Sequence, residues 1–287
     1  MTHPNVEAFF DPATATATFL VWDPETRTAA VIDPVLDYQP SAARLSTYNI
    51  DRVLNAADDQ GLSIAWVLET HAHADHLSGA KVIAERTGAK IGIGARICEV
   101  QTAFRPLFGL DGEGTGPEAF DQLFQDDDRF SLGAMEVQVL HTPGHTPACV
   151  SYLIGDAVFV GDTIFMPDFG TARTDFPGGS AHQLFQSIQR LLALPGETRM
   201  FVGHDYLPKG RTAPSWETTV EEQRRRNIHV HEGRDEAAFI AEREARDKTL
   251  GAPALILPSL QVNIRGGALP PAEANGITYL KIPVDQL

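Results

Sequence analysis

The six residues from His71 to His76 include three histidines and one aspartate. His73 and Asp75 lie between the two terminal histidines. Neutral imidazoles and carboxylates are ligands that suit zinc, iron and manganese, and no thiolate accompanies them here. The segment follows the apolar run 64–68 and precedes a helix-like stretch, which places it where a strand gives way to a helix. This density of ligands makes a metalloenzyme the leading hypothesis for the chain.

Four apolar runs of the sequence each end in a possible metal ligand. These ligands are His71, His141, Asp162 and His204. Strand ends at one edge of an α/β core can bring together side chains that are distant in the sequence. One histidine in a core pattern is usually a hydrogen-bonded structural side chain, but the recurrence at four strand ends predicts a catalytic metal centre.

The elements that must position these residues follow an alternating pattern of strands and helices. Two β-prone runs joined by a turn sequence predict an opening hairpin, at 16–22 and 28–32. Further strands are predicted at 64–68, 90–93, 135–140, 149–154, 157–160 and 199–202, with antiparallel pairing among the three runs between 135 and 160. Helices are predicted at 51–60, 76–87, 181–194, 216–227 and 235–250. Residues 104–128 read as a surface excursion.

The length of 287 residues and the hydrophobic fraction of 43% indicate one large globular domain with a sizeable core. Residues from about 235 to 287 are expected to form a helical and irregular extension docked on this domain. Cys98 and Cys149 are too few and too far apart for a disulfide framework.

The charge balance narrows the possible partners. Lys and Arg total 23 against 38 Asp and Glu, which gives a net charge of −15 and opposes binding to nucleic acid or to an anionic membrane. The sequence contains no apolar span long enough for a bilayer and no secretory signal, so we expect a cytoplasmic protein. The oligomeric state stays open, a homo-oligomer included.

At its ligand residues the chain resembles the metallo-β-lactamase superfamily. Residues 71–76 match the His-x-His-x-Asp-His signature, and His141, Asp162 and His204 match the later ligand positions. The resemblance implies an α/β fold, a four-layer αββα sandwich with the metals at one edge of the two sheets. The resemblance covers the chain from the opening hairpin to about Arg234.

One reaction consistent with this resemblance is metal-dependent hydrolysis of the glyoxalase II type, acting on a thioester or lactone. Two zinc ions would lower the pKa of bound water and hold the electrophile. The ligands implied are His71, His73 and His141 for one metal, and Asp75, His76 and His204 for the other, with Asp162 bridging.

The second reaction needs one metal. His71, His141 and Asp162 would form the two-histidine, one-carboxylate arrangement of non-haem Fe(II) oxygenases. The segments around Asp162 and Tyr206 are similar to the persulfide dioxygenase branch, which oxidises glutathione persulfide to sulfite with one iron. The resemblance then implies a persulfide or thiol conjugate and O₂ as partners. His73, Asp75, His76 and His204 would support the iron ligands instead of binding metal.

Two further residues are candidates for the substrate pocket. The resemblance puts Tyr206 beside the substrate, where its hydroxyl can donate a hydrogen bond, although a wall residue would look the same. Arg173 can hold a substrate carboxylate, or it can pair with the nearby Asp175. A third hypothesis is a metal-binding sensor without turnover.

Overall fold

The fold is described from a computed structural model, and residues 3–110 and 114–286 are described. Within them the strands, numbered along the chain, are β1 (Asn5–Asp11), β2 (Thr16–Trp22), β3 (Thr28–Ile32), β4 (Val35–Gln39), β5 (Arg44–Ser46), β6 (Ser63–Leu68), β7 (Leu77–Ser78), β8 (Lys90–Gly94), β9 (Gln122–Phe124), β10 (Arg129–Leu132), β11 (Met135–His141), β12 (Val150–Ile154), β13 (Ala157–Phe159), β14 (Arg199–Phe201) and β15 (Glu217–Thr219). The α-helices are α1 (Tyr48–Asp59), α2 (Ala80–Thr87), α3 (Ile97–Phe108), α4 (Ala181–Leu192), α5 (Val220–Arg226), α6 (Glu236–Asp247) and α7 (Ile256–Asn263).

The fold is built on two six-stranded sheets. The first has the strand order β1-β2-β3-β6-β8-β9 and the second β10-β11-β12-β13-β14-β15, while β5, β4 and β7 form a small third sheet. The first sheet is antiparallel from β1 to β3 and parallel from β3 to β9. The second is antiparallel except where β13 and β14 run parallel.

The core consists of three apolar layers. The middle layer joins the two sheets, and its aromatic centre is formed by Phe19, Phe159 and Phe201. An outer layer packs α1, α2, α3 and α7 on the first sheet, and another packs α4, α5 and α6 on the second. The order helix, sheet, sheet, helix confirms the predicted αββα sandwich.

The residue pattern explains why the strands adopt these positions. In β11 the inward residues Met135, Val137 and Val139 are buried and alternate with Glu136 and Gln138, as expected for a strand with one face on the core. β2 is buried along its whole length. It lies between β1 and β3, and its two faces pack into the middle layer and one outer layer of the core. The opening hairpin of β2 and β3 and the antiparallel set β11, β12 and β13 are confirmed.

Several predicted boundaries are wrong because tertiary pairing overrides local pattern. The helix predicted from His76 starts at Ala80, since Leu77–Ser78 pairs with β4. The helix predicted from Trp216 starts at Val220, since Glu217–Thr219 pairs with β14.

Other elements were absent from the sequence interpretation. The proposed excursion from residue 104 contains the end of α3 and the strand β9, and its residues 111–113 lie outside the described part. The tail, expected to be irregular, contains α7, and β1 extends the first sheet. Side chains of α7 lie in the same outer layer as α1 and α2. Of the helices that the structure describes, none has the length and apolar character of a bilayer span.

Candidate metal centre

Residues 69–76 form the base of the candidate site, at the end of β6. The backbone of Glu69 donates to Gly92 in the first sheet, and the Thr70 carbonyl accepts from Val150 in the second sheet, at 2.9 Å each. Asp33, at the end of β3, accepts hydrogen bonds from the Thr70 amide at 2.7 Å and the Thr70 hydroxyl at 2.8 Å. The segment is therefore fixed to both sheets at their common edge.

The first cluster of possible ligands consists of His71, His145 and Asp162, all buried. The Nε2 atom of His71 lies 4.0 Å, and that of His145 3.8 Å, from Asp162 Oδ2. A metal ion between these three groups would be bound by two imidazoles and one carboxylate, as in the two-histidine, one-carboxylate sites of non-haem iron.

Hydrogen bonds at the far side of both rings select the tautomer. The Thr70 hydroxyl donates to Asp33, so its oxygen accepts from His71 Nδ1 at 3.0 Å. The Arg173 carbonyl can only accept, and it lies 2.9 Å from His145 Nδ1. Each ring thus carries its proton on Nδ1 and presents the Nε2 lone pair to the centre of the cluster, which is the state that binds metal.

The second cluster consists of His73, Asp75, His76 and His204. His204 Nε2 lies 3.1 Å from Asp75 Oδ2 and 3.4 Å from Asp162 Oδ1, while its Nδ1 lies 3.2 Å from the Ala15 carbonyl. The two carboxylate oxygens of Asp162 therefore face different clusters. This arrangement also suits a pair of metal ions that share Asp162.

Buried polar atoms without a hydrogen-bond partner lie in both ligand clusters. Within the described residues, the buried atoms of the two clusters that make no hydrogen bond include His73 Nδ1, Asp75 Oδ2, His76 Nε2, Asp162 Oδ1 and His204 Nε2. Buried polar atoms without a partner are costly, and a bound cation would satisfy them. The donor set and these atoms together fit a metal centre.

A buried pair of carboxylates orients His73. Its Nε2 lies 3.1 Å from Asp33 Oδ1 and 3.3 Å from Glu69 Oε2. Burial opposes a charged ring, but Asp33 and then Glu69 outweigh it and raise the pKa of His73 well above its ordinary value. The Glu69 carboxylate also accepts a hydrogen bond from the Ser78 hydroxyl.

The causes of the pKa shifts differ between the possible ligands His71 and Asp75. Burial, followed by repulsion from His73 and His145, lowers the pKa of His71 well below its ordinary value, so the ring is neutral. Burial favours protonation of Asp75, but His204 and His76 outweigh it and lower its pKa. A neutral imidazole and an ionised carboxylate are the forms that bind metal.

The structure corrects one predicted site residue. His141 is the last residue of β11, still paired with Val150, and its Nε2 is 3.0 Å from the Pro147 carbonyl. It belongs to none of the clusters of the described residues, and His145 occupies the position expected for it. The chain must pass the turn at Gly144, where φ is +139°, before a side chain reaches Asp162. His145 is therefore a possible ligand that was not among those predicted from the sequence.

The other sequence candidates lie around the pocket that opens over the site. Tyr206 is 45% exposed, and its ring stacks on His204 with 5.4 Å between centroids. Burial and the charges of Asp162 and Asp75 raise the pKa of Tyr206, so its hydroxyl stays protonated. Arg173 lines the pocket too, but it forms a two-point pair with Asp175 at 2.6 Å.

Sequence reasoning missed a residue of the C-terminal extension that holds the metal-binding segment. Asn263, the last residue of α7, accepts from the Ser78 amide at 2.7 Å and donates to the carbonyls of His73 and His76 at 2.8 Å each. Its side chain is buried, and all three bonds are made to the segment that holds the ligands. An asparagine 187 residues away from His76 carries no local pattern that would reveal this.

Comparison with known proteins agrees with this architecture. The family model described as the metallo-beta-lactamase superfamily matches residues 11–204. A "beta-lactamase hydrolase-like protein" of Agrobacterium fabrum is 52% identical over 99% of this chain, which spans 65% of that protein's length.

Two further relatives share the name ETHE1. The human mitochondrial "persulfide dioxygenase ETHE1" is 30% identical over 76% of this chain and 72% of its own. The crystal structure of ETHE1 from Myxococcus xanthus superposes with a TM-score of 0.73 at 33% identity, covering 92% of this chain and all of the other.

Proposed function

We propose that this chain, which belongs to the metallo-β-lactamase superfamily, is a dioxygenase with one non-haem Fe(II) that oxidises a low-molecular-weight persulfide. Glutathione persulfide is the leading substrate. In the overall reaction the persulfide, O₂ and water yield the thiol, sulfite and two protons. The terminal sulfur is oxidised, O₂ is reduced, and the sulfur–sulfur bond breaks so that the thiol leaves.

The observation that carries the proposal is the orientation of two imidazoles toward one carboxylate. His71 and His145 each present an Nε2 lone pair to Asp162, and their Nδ1 protons are engaged elsewhere. His71, His145 and Asp162 would hold the iron, and a site with three protein ligands would still admit a sulfur and O₂. When bound, the iron supplies the redox chemistry that joins them.

The remaining residues have supporting roles in this proposal. Phe165 and Phe169 pack on Tyr206 at the pocket wall, with ring centroids 5.8 and 5.2 Å from it, and limit the access of water. The neutral Tyr206 hydroxyl can donate a hydrogen bond to the substrate. The Asp75 carboxylate contacts the His204 ring. The carboxylates of Asp33 and Glu69 orient His73.

The relatives that carry the name ETHE1, of which the human protein is also named a persulfide dioxygenase, support the assignment. They match this chain over most of its length, and the chain covers the whole of the Myxococcus xanthus protein. The name of the Agrobacterium fabrum relative points toward hydrolysis, and that protein is considerably longer.

A second candidate function is hydrolysis by two zinc ions, of a thioester or lactone. The unsatisfied atoms of Asp75, His76 and His204 favour it, because they form a second possible metal position beside Asp162. Two bound zinc ions would supply an activated water as the nucleophile.

Parallel assays separate the two functions. The protein loaded anaerobically with Fe(II) is given glutathione persulfide in an oxygen electrode, and sulfite is measured. The zinc-loaded protein is given S-lactoylglutathione, and thioester loss is followed. We expect O₂ uptake with matching sulfite and negligible thioester loss; thioester turnover without O₂ uptake would overturn the proposal, as would the absence of any turnover.

A further inference from the structure

The pocket over the metal centre continues well beyond the ligands. It has a volume of about 450 Å³ and runs from Asp162 and His145 to residues of α6 and the segment behind it. Its walls in that direction include the apolar residues Leu250, Pro253 and Leu255. A pocket of this size accommodates an organic group attached to the reacting sulfur, in addition to the sulfur itself.

Three arginines line this pocket, and two of them are already neutralised. Arg173 pairs with Asp175 through two contacts of 2.6 Å and donates to the Gly251 carbonyl at 2.7 Å. Arg243 is buried and pairs with Asp247 at 2.6 Å. These two guanidiniums hold the pocket wall together.

The third, Arg246, is free to bind a ligand. It lies one helical turn from Arg243 on α6, is exposed, and lines the pocket. No hydrogen bond or ion pair of its guanidinium is present within residues 3–110 and 114–286. A guanidinium without a partner in the lining of a pocket is suited to a carboxylate.

A neutral donor lies beside Arg246. His229 lines the same pocket and a small recess that it shares with Arg246. Its Nδ1 accepts from the Thr171 amide at 3.1 Å, so the proton of the neutral ring is on Nε2. Burial and the nearby Arg243 lower the pKa of His229 to about 4. The adjacent Glu242 carboxylate is engaged by Arg234.

We infer that Arg246, assisted by His229, binds the carboxylate of an acidic thiol conjugate whose sulfur lies at the metal centre. This inference rests on the proposed function, since it identifies the substrate class of that site. The residue lies in the C-terminal extension and differs from Arg173, the candidate arginine of the sequence, which pairs with Asp175. In a protein of net charge −15, an anionic substrate depends on such a local cation.

Calorimetric titration of the anaerobic, metal-loaded protein tests the inference with two probes. Glutathione carries the carboxylates, and glutathione diethyl ester lacks them. We expect Arg246→Gln to weaken glutathione binding about tenfold or more and to leave the affinity for the ester nearly unchanged. Arg246→Lys is expected to restore part of the loss. Arg225→Gln, the same change at an exposed position of α5, is the matched control.

Three results would overturn the inference: an equal loss for both probes, no loss in Arg246→Gln, or an equal loss in Arg225→Gln. The outcome is separate from that of the proposed function. If O₂ uptake is absent but the carboxylate selectivity depends on Arg246, the function fails and the binding site stands. If persulfide oxidation occurs and Arg246 has no effect, only the binding site fails.

Discussion

At the scale of single residues, the hydrogen-bond partner of each imidazole decides which nitrogen can bind a metal. His71 and His145 are held through Nδ1, so Nε2 is available to a metal at both rings. His141 instead directs Nε2 at the Pro147 carbonyl. The histidine at the strand end is therefore a structural residue, and the one beyond the Pro-Gly turn faces Asp162.

We expect His145→Ala to lose tight metal binding and O₂ uptake, because one of three ligands is removed. His141→Ala, the matched control from the same segment, should retain both and lose only about 1 kcal/mol of stability with its hydrogen bond. Metal per chain after anaerobic loading and desalting checks this. Retained metal in His145→Ala together with metal loss in His141→Ala would refute the assignment.

The sequence predicted the types of ligand better than their positions. His71 and Asp162 follow buried strands and do come together, as the strand-end argument expects. That argument failed at His141 because the residue is still paired in the sheet, and reaching Asp162 takes another four residues and a glycine turn. The glycine directly before His145 was the available signal.

His229 provides a pH dependence whose sign can be worked out. Its pKa is about 4 in the folded protein against 6.5 ordinarily, so below pH 6.5 the unfolded chain takes up a proton that the folded chain does not. Stability is complete above pH 6.5 and falls as the pH drops toward 4. His229→Asn keeps an acceptor for Thr171 and removes the titration.

We expect urea unfolding to show a smaller loss of stability between pH 7 and pH 5 in His229→Asn than in the wild type, by on the order of 1 kcal/mol. His231→Asn, at an exposed histidine two residues away, is the control. Identical pH slopes for all three proteins would show that His229 titrates normally.

At the scale of elements, the helix α7 belongs to the metal centre although it follows the family match by about fifty residues. Asn263 spans the backbone of His73, His76 and Ser78 with three hydrogen bonds. Because two of these bonds need a donor and one needs an acceptor, an amide is required there. The extension thereby fixes the backbone of two possible ligands.

Asn263→Asp tests this role with nearly unchanged size. The acceptor for Ser78 remains, but a carboxylate faces two carbonyls, so we expect a loss of about 2–4 kcal/mol in stability and a metal affinity at least about tenfold weaker. Asn275→Asp is the matched control on an exposed segment. Metal competition titration and thermal unfolding measure both effects; wild-type metal affinity in Asn263→Asp would contradict the role.

Elements with regular apolar spacing were predictable, and those that depend on distant pairing were not. The hairpin of β2 and β3 and the helix α4 follow their local patterns. β15 was predicted as helix because its partner β14 is supplied by a distant segment. α7 shows no clear amphipathic pattern, since it is buried on several sides.

At the scale of the whole molecule, two sheets bring their strand ends to one edge, where the ligands meet. Asp33 and His71 follow strands of the first sheet, while Asp162 and His204 follow strands of the second. The layer order was predictable from the signature, because this fold accompanies that ligand pattern. The pocket was not predictable from the signature, because part of its wall is formed by α6 and the residues that follow it, far along the chain from the ligands.

The stoichiometry of iron is measured by loading the metal-free protein anaerobically with increasing amounts of Fe(II). A sample of each loaded protein is then transferred to an oxygen electrode, where O₂ uptake on glutathione persulfide is recorded. We expect one equivalent of iron to bind tightly and the rate of O₂ uptake to reach its maximum at that equivalent. A rate that rises only with a second equivalent, or thioester hydrolysis with two zinc ions and no O₂ uptake, would contradict this expectation.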